Sequence, residues 1–90
     1  MAKAIMDPEE VRRFARDLKM LTTELEARLS NLHARLSALG EAWQDQEHDK
    51  FAVEFEDTMR GLGRFTYSAN EHIPFLLRKA RHIEDYLDQG

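Results

Sequence analysis

The strongest constraint in this sequence is the spacing of its large apolar residues between positions 8 and 39. They recur at intervals of three and four residues, which is the period of one face of an α-helix. At about 100° per residue, every one of them falls within roughly 40° of Leu25. The stripe is as narrow as a coiled-coil seam, with a stutter between Leu25 and Leu29. Its members are Val11, Phe14, Leu18, Leu21, Leu25, Leu29, Leu32, Leu36 and Leu39.

The residues before this stripe favour the start of a helix. Asp7 can cap the helix and Pro8 suits its first position. Glu9 and Glu10 place negative charge near the positive end of the helix dipole. No helix-breaking residue interrupts the stripe, so the sequence predicts helix 1 over about residues 8–40.

A second and less regular stripe predicts helix 2 over about residues 46–88. Gly61 and Gly63 each weaken a helix by about 1 kcal/mol relative to alanine. Pro74 removes one backbone hydrogen bond. We therefore expect one helix that is kinked near Pro74, and a break at Gly61–Gly63 or at Pro74 is left open. The stripe consists of Phe51, Phe55, Met59, Leu62, Phe65, Ala69, Ile73, Leu76, Ala80, Ile83 and Leu87.

The turn between the two stripes, residues 41–45, contains the only tryptophan, Trp43. Gly40 can end helix 1 as a C-cap, or the helix can continue to Ala42. Asp45 is expected to cap helix 2. Because short connections leave consecutive helices side by side, this turn predicts an antiparallel hairpin.

The predicted fold class is therefore all-α, a two-helix hairpin forming one domain over residues 1–90. A chain of 90 residues without cysteine is marginally stable alone. Phe75 and Tyr86 widen the apolar face of helix 2 on one flank and Leu77 widens it on the other, so one partner helix cannot cover it. We expect dimerisation into a four-helix bundle, with these three residues as partner contacts. The predicted helix seam and dimer interface comprises Phe14, Leu18, Leu21, Leu25, Leu29, Leu32, Leu36, Phe55, Leu62, Phe65, Ile73, Leu76 and Ile83.

The sequence offers little for catalysis, and we expect no enzyme activity, no metal site and no cofactor. The histidines, at positions 33, 48, 72 and 82, are scattered, and none has the spacing of a helical metal motif. The segment Glu47-His48-Asp49 contains three possible ligands, but neighbours on a helix point to different faces. We interpret it as a solvated first turn. Phosphate-binding loops and nucleophile elbows are also missing.

The charge pattern argues against nucleic-acid binding, and the apolar pattern argues against membrane insertion. The net charge is −4, with 17 acidic and 13 basic residues. The basic clusters 12–19 and 78–81 are short and lie beside acidic residues, so we expect no nucleic-acid binding. Residues 1–7 lack an apolar signal core, and no run approaches a membrane span. These features predict synthesis in the cytoplasm, no membrane insertion, and any export without a cleaved signal peptide.

The turn and its surroundings resemble the Trp-X-Gly (WXG) family, the early secreted antigen-like small proteins of type VII secretion. The match is Trp43-Gln44-Asp45 followed by Phe51 at the family's aromatic position, and the resemblance extends over residues 11–87. Asp45 stands where the family has glycine. The resemblance implies homodimers or heterodimers of helical hairpins and a secretion ATPase as a further partner.

The export signal of that family, Tyr-X-X-X-Asp/Glu beyond helix 2, is missing. Tyr86 is followed four residues later by Gly90, and Tyr67 and Glu71 have the spacing but lie within a helix. In this family a partner can supply the signal. We therefore expect a non-enzymatic type VII secretion substrate or secretion partner, with Trp43 near the recognition surface. The alternative is a cytoplasmic helical adaptor or coiled-coil regulator with no link to export.

Overall fold

Two long helices that pack against each other make up the fold. The computed structural model describes residues 6–89, with side chains described up to residue 88. Helix α1 spans Pro8–Ala42 and helix α2 spans Gln46–Gln89, and three residues connect them. The prediction of an all-α helical hairpin is confirmed. Residues 1–5, which belong to the N-terminal segment where no signal core is expected, and Gly90 lie outside the described residues.

The ends of α1 follow from local hydrogen bonds. The Asp7 carboxylate accepts a hydrogen bond from the Glu9 backbone N–H at 3.0 Å, and Pro8 occupies the first turn. At the other end, Gly40 stays within the helix, which continues to Ala42. The C-cap is Trp43, in extended conformation, and its backbone N–H donates to the Leu39 carbonyl at 2.9 Å.

Helix α2 runs through all three residues that weaken it. It remains one helix of 44 residues across Gly61, Gly63 and Pro74. Proline fixes its own φ at a helical value and removes one hydrogen bond, so packing against α1 can maintain the helix through it. Neither of the two breaks left open by the sequence occurs.

The hairpin is a rod. Its extents are 68 × 21 × 14 Å and its radius of gyration is 20.2 Å. A compact domain of this length has a radius of gyration of about 12 Å. Each side chain can therefore be buried only against the other helix, and the rod has no central core.

The seam between the helices is lined largely by small residues. Each helix buries side chains at a spacing of seven residues or at the alternate spacings of four and three, as in a coiled coil. The buried residues are Ala15, Thr22 and Leu36 on α1, and Thr66, Ala69 and Ala80 on α2. Because small side chains bury little apolar area, this seam contributes less stability than a leucine seam of equal length.

One cross-helix hydrogen bond lies inside the seam. Thr22 is fully buried, and its Oγ1 lies 2.9 Å from Oδ1 of Asn70 and 3.1 Å from the Lys19 carbonyl oxygen. Thr66 is also buried, but its hydroxyl donates only within α2, to the Leu62 carbonyl at 3.0 Å. A buried polar group without its partner is unfavourable, so the Thr22–Asn70 pair favours one register of the two helices.

We expect Thr22→Val to destabilise the hairpin by about 1 kcal/mol, since it removes the hydroxyl and leaves the Asn70 amide without that partner. Thr66→Val is the matched control, because Thr66 is equally buried and its hydroxyl bonds only within its own helix. It should destabilise the hairpin less than Thr22→Val does. Urea denaturation followed by circular dichroism measures both. Equal effects in the two variants would contradict a register role for Thr22.

Candidate protein-binding surface

The seam divides the rod into two long edges of different chemistry. Residues four positions after seam residues reach across one edge: Glu84, after Ala80, contacts Arg12, and Asn70 contacts Thr22. A residue one position before a seam residue points to the other side of the helix and therefore lies on the opposite edge. Phe14, Leu21 and Phe65 are such residues. The two edges are described below as the polar edge and the apolar face.

The polar edge has contacts between polar side chains of the two helices. Arg12 bonds to Glu84 near the start of α1, and His33 lies 3.8 Å from Glu56 nearer the turn. The Arg12 guanidinium donates to the Glu84 carboxylate and lowers the pKa of Glu84. This pair closes the open end of the hairpin, where α1 begins and α2 ends.

The apolar face exposes seven large hydrophobic side chains from both helices. Each of them is 39–58% exposed. Near the turn, α1 and α2 together line a shallow hollow of about 170 Å³ on this face, with Leu36 at its base. The apolar face consists of Phe14, Leu21, Leu32, Leu39, Phe51, Leu62 and Phe65. In other proteins, long exposed apolar stripes are typical of interaction sites.

An aromatic cluster links the apolar face to the turn. The Trp43 ring lies 6.2 Å from Phe51 between centroids, and Phe51 stacks on Phe55 at 5.4 Å with an interplanar angle of 14°. His48 meets the indole edge-on at 5.2 Å. Trp43 is half-buried, so part of its ring remains available for contact. Partly exposed aromatic residues of this kind are enriched at protein interfaces.

The prediction that His48 belongs to a solvated first turn is wrong. Its side chain is only 13% exposed, and its Nε2 is buried without a hydrogen-bond partner among the described residues. The ring packs against Trp43 and against Gly40, where an added Cβ would lie 3.3 Å from Cε1 of His48. Gly40 is therefore the site of a close approach between the helices and does not cap α1. No spacing in the sequence signals this contact across the turn.

Asp45 caps α2, as the sequence indicated. Its carboxylate accepts a hydrogen bond from the His48 backbone N–H at 2.9 Å, and its carbonyl accepts from Asp49 N–H at 3.2 Å. The bond from the His48 backbone N–H is the main cause that lowers the pKa of Asp45, and the nearby Trp43 side chain contributes. None of the described non-glycine residues has a positive φ. Position 45 therefore does not require glycine, and an aspartate there adds a cap.

We expect Asp45→Gly to lower the melting temperature at neutral pH and to have little effect in acid. The pKa of Asp45 is lower in the folded than in the unfolded chain. Its contribution is therefore complete above the unfolded pKa and is lost as the pH falls through the folded value. Asp45→Asn keeps an acceptor and is the matched control. Melting temperature and tryptophan fluorescence between pH 2 and pH 7 measure the effect. A difference between wild type and Asp45→Gly that is constant across this range would contradict it.

The structure places the predicted seam and interface residues at three levels of exposure. Leu36 is buried, and the exposed ones belong to the apolar face. Tyr86 is 73% exposed, and Phe75 and Leu77 are 50% and 43% exposed. Leu77 lies on the polar edge. The half-buried residues of the predicted set are Leu18, Leu25, Leu29, Phe55, Ile73, Leu76 and Ile83.

Sequence reasoning missed three of the five small buried residues of the seam. Ala15, Thr22 and Thr66 were not selected, because the stripe of α1 counted only large apolar residues and neither stripe counted threonine. The stripe of α2 did include Ala69 and Ala80. A strict spacing of seven residues would have identified them. Residues 15, 22, 29, 36 and 43 form one such series, and residues 52, 59, 66, 73 and 80 form the other. Admitting alanine and threonine to these positions places the seam to one side of the leucine stripe.

Two further features of the described residues concern the surface as a whole. Neither helix contains a stretch apolar enough, over a sufficient length, to cross a membrane. Among the described side chains, no three carboxylates or imidazoles come together in the arrangement of a metal site.

Comparison with known proteins identifies relatives of the whole hairpin. Residues 4–86 match the family model WXG100, described as proteins of 100 residues with WXG. The chain is also similar to the uncharacterized protein YfjA of Bacillus subtilis (strain 168), with 32% identity over 80 residues. That alignment covers 89% of this chain and 77% of YfjA. No solved structure matches.

Proposed function

Because the chain belongs to the WXG100 family, we propose that it is a non-enzymatic type VII secretion substrate or secretion partner. It acts through protein–protein contacts, as a homodimer or as a heterodimer with a paralogous hairpin. The apolar face is the surface that associates, and the two hairpins together form a four-helix bundle. The observation that carries this proposal is the row of seven exposed hydrophobic side chains along one face of the rod.

The large accessible surface area of the chain supports the proposal that a partner covers part of it. The chain exposes 7314 Å² at a mass of 10.5 kDa. A folded monomer of that mass exposes about 5,400 Å². The excess is about 1,900 Å², whereas a standard interface buries about 800 Å² on each partner. A second hairpin laid along the apolar face can therefore bury enough surface to stabilise the rod.

Light scattering on the purified chain tests the assembly. We expect a mass of twice 10.5 kDa for a homodimer. For a heterodimer we expect a poorly folded chain that gains helix and melts cooperatively only when the paralogue is added. A stable, cooperatively melting monomer at micromolar concentration would contradict the proposed bundle. It would show that the hairpin stays folded with its apolar face exposed to water.

Export is tested separately, in the native host. A tagged chain should be found in the culture medium of the wild-type strain and should stay in the cells of a strain that lacks the type VII ATPase. A mutant with Trp43→Ala should fold, as judged by circular dichroism, and lose recovery of its partner in a pull-down. An unchanged pull-down yield with Trp43→Ala would remove the recognition role of the turn.

The alternative function is a cytoplasmic helical adaptor or coiled-coil regulator. One observation favours it: Gly90 stands four residues after Tyr86, where the export signal has an acid. The host experiment separates the two functions, since an adaptor stays in the cell in both strains. A co-purified partner that carries an intact Tyr-X-X-X-Asp/Glu motif would favour export.

A further inference from the structure

The two basic clusters of the sequence converge on one part of the polar edge. Arg12, from the first cluster, and Arg78 and Arg81, from the second, line a single surface groove of about 420 Å³. The remaining lining is apolar, from Pro74 and Leu77. This groove, defined by these five residues, lies near the open end of the hairpin and outside the apolar face.

The three arginines differ in their pairing. Arg12 is held in place by Glu84 and Glu9. Within the described part of the chain, Arg78 and Arg81 have no carboxylate within 4.0 Å. Guanidinium groups bind carboxylates through two parallel hydrogen bonds, and both of these side chains are exposed. They are therefore available to an acidic ligand without breaking an ion pair of the described residues, and Arg81 also contributes to the lowered pKa of Glu84.

We propose that this groove binds an acidic segment of a partner protein, with carboxylates on Arg78 and Arg81 and a bulky apolar side chain on Pro74 and Leu77. Leu77 is 43% exposed and lies beside the arginines, so a ligand with both chemistries gains from both. Arg16 and Lys19 follow Arg12 by four and seven residues and so share its side of α1. They extend the positive charge along the same edge.

The charge of the whole chain favours a short peptide over a polyanion. The net charge is −4, which repels a long nucleic acid or an anionic membrane. At physiological ionic strength, charges interact over only about 8 Å. A peptide with a few carboxylates therefore senses the local arginines and little of the remaining chain. The apolar floor also has no counterpart in a phosphodiester backbone.

Fluorescence anisotropy with synthetic probes tests the proposal. The probe is a short labelled peptide in which aspartates alternate with leucines. The reference probes are a peptide of aspartate and serine, a peptide of asparagine and leucine, oligothymidine, and vesicles containing phosphatidylglycerol. We expect the aspartate–leucine peptide to bind at least about tenfold more tightly than either reference peptide, since each lacks one of the two contacts. Absence of binding, or preferential binding of oligothymidine or vesicles, would overturn the proposal.

Variants locate the binding site. Arg78→Gln combined with Arg81→Gln should weaken binding of the peptide at least about tenfold, and Leu77→Ser should weaken it several-fold. Lys50→Gln combined with Arg64→Gln is the matched control; it removes the same charge from exposed positions of α2 away from the groove. Equal weakening in the two double variants would reduce the effect to net charge and overturn the groove as the site.

The same variants keep this result separate from the proposed bundle. Arg12 is left unchanged because it pairs with Glu84 across the helices. The groove lies on the polar edge, so the mass by light scattering and the helical content should not change in the Arg78 and Arg81 variant. Loss of peptide binding with an intact assembly supports the groove, and loss of both would overturn it by showing that these arginines maintain the assembly.

Discussion

The substitution Phe65→Asp is expected to dissociate the four-helix assembly. Phe65 lies near the middle of the apolar face and is 46% exposed in the isolated hairpin. A carboxylate at this position would be buried in the interface without a partner, which costs about 3–5 kcal/mol. In a symmetric dimer each substitution appears twice across one interface. The dissociation constant should therefore rise by more than about a hundredfold.

Val53→Asp is the matched control for this experiment. Val53 is 68% exposed on the same helix but lies outside the apolar face, so its carboxylate stays in water. Analytical ultracentrifugation over a range of concentrations measures both variants, and circular dichroism checks that each remains helical when its partner is in excess. If Phe65→Asp assembles as tightly as Val53→Asp, another surface must form the interface.

The second large effect is expected from Leu36→Ala. Leu36 is the only leucine, isoleucine, valine or phenylalanine among the buried residues of the described chain, at 8% exposure. Its truncation leaves a cavity beneath the hollow near the turn and should cost about 2–5 kcal/mol. A domain of this size has a total stability of only about 5–13 kcal/mol. The variant should therefore lose a large fraction of the stability of the fold.

Met20→Ala is the control for that truncation. Met20 is 70% exposed, so its loss should change stability by less than about 0.5 kcal/mol. Urea denaturation at one protein concentration, with the partner at saturation, compares the two variants. Similar midpoints for Leu36→Ala and Met20→Ala would show that the seam near the turn contributes little to holding the helices together.

The helices and their pairing could be predicted from the sequence because large apolar side chains and caps leave periodic signals. Asp7, Pro8 and Asp45 are local signals for the start of a helix. Asp7 and Asp45 form the capping hydrogen bonds that the sequence predicts. The length of α2 was harder to predict, since Gly61, Gly63 and Pro74 each disfavour a helix locally. The packing of α2 against α1 along the whole rod stabilises the helix at these three positions. Helix propensity alone does not include this packing energy.

The interior of the seam and the environment of His48 could not be predicted in the same way. Ala15, Thr22 and Thr66 have no hydrophobic bulk, so a count of large residues places the stripe too far to one side. His48 is buried by contacts with Trp43 and Gly40, which depend on how closely the helices approach at the turn. That distance is a tertiary property. The association surface stays a prediction, because exposure alone does not identify what covers it.

The antiparallel course of α1 and α2 also has a mechanical consequence. The contact between Arg12 and Glu84 shows that the start of the first helix and the end of the second lie together at one end of the rod. A pulling force applied between the start of α1 and the end of α2 acts on one pair of contacting side chains at a time. It separates the helices progressively from the open end toward Trp43 in the turn. Each step breaks few contacts, so a modest pulling force opens the hairpin into two helices arranged end to end without rupturing the whole interface at once.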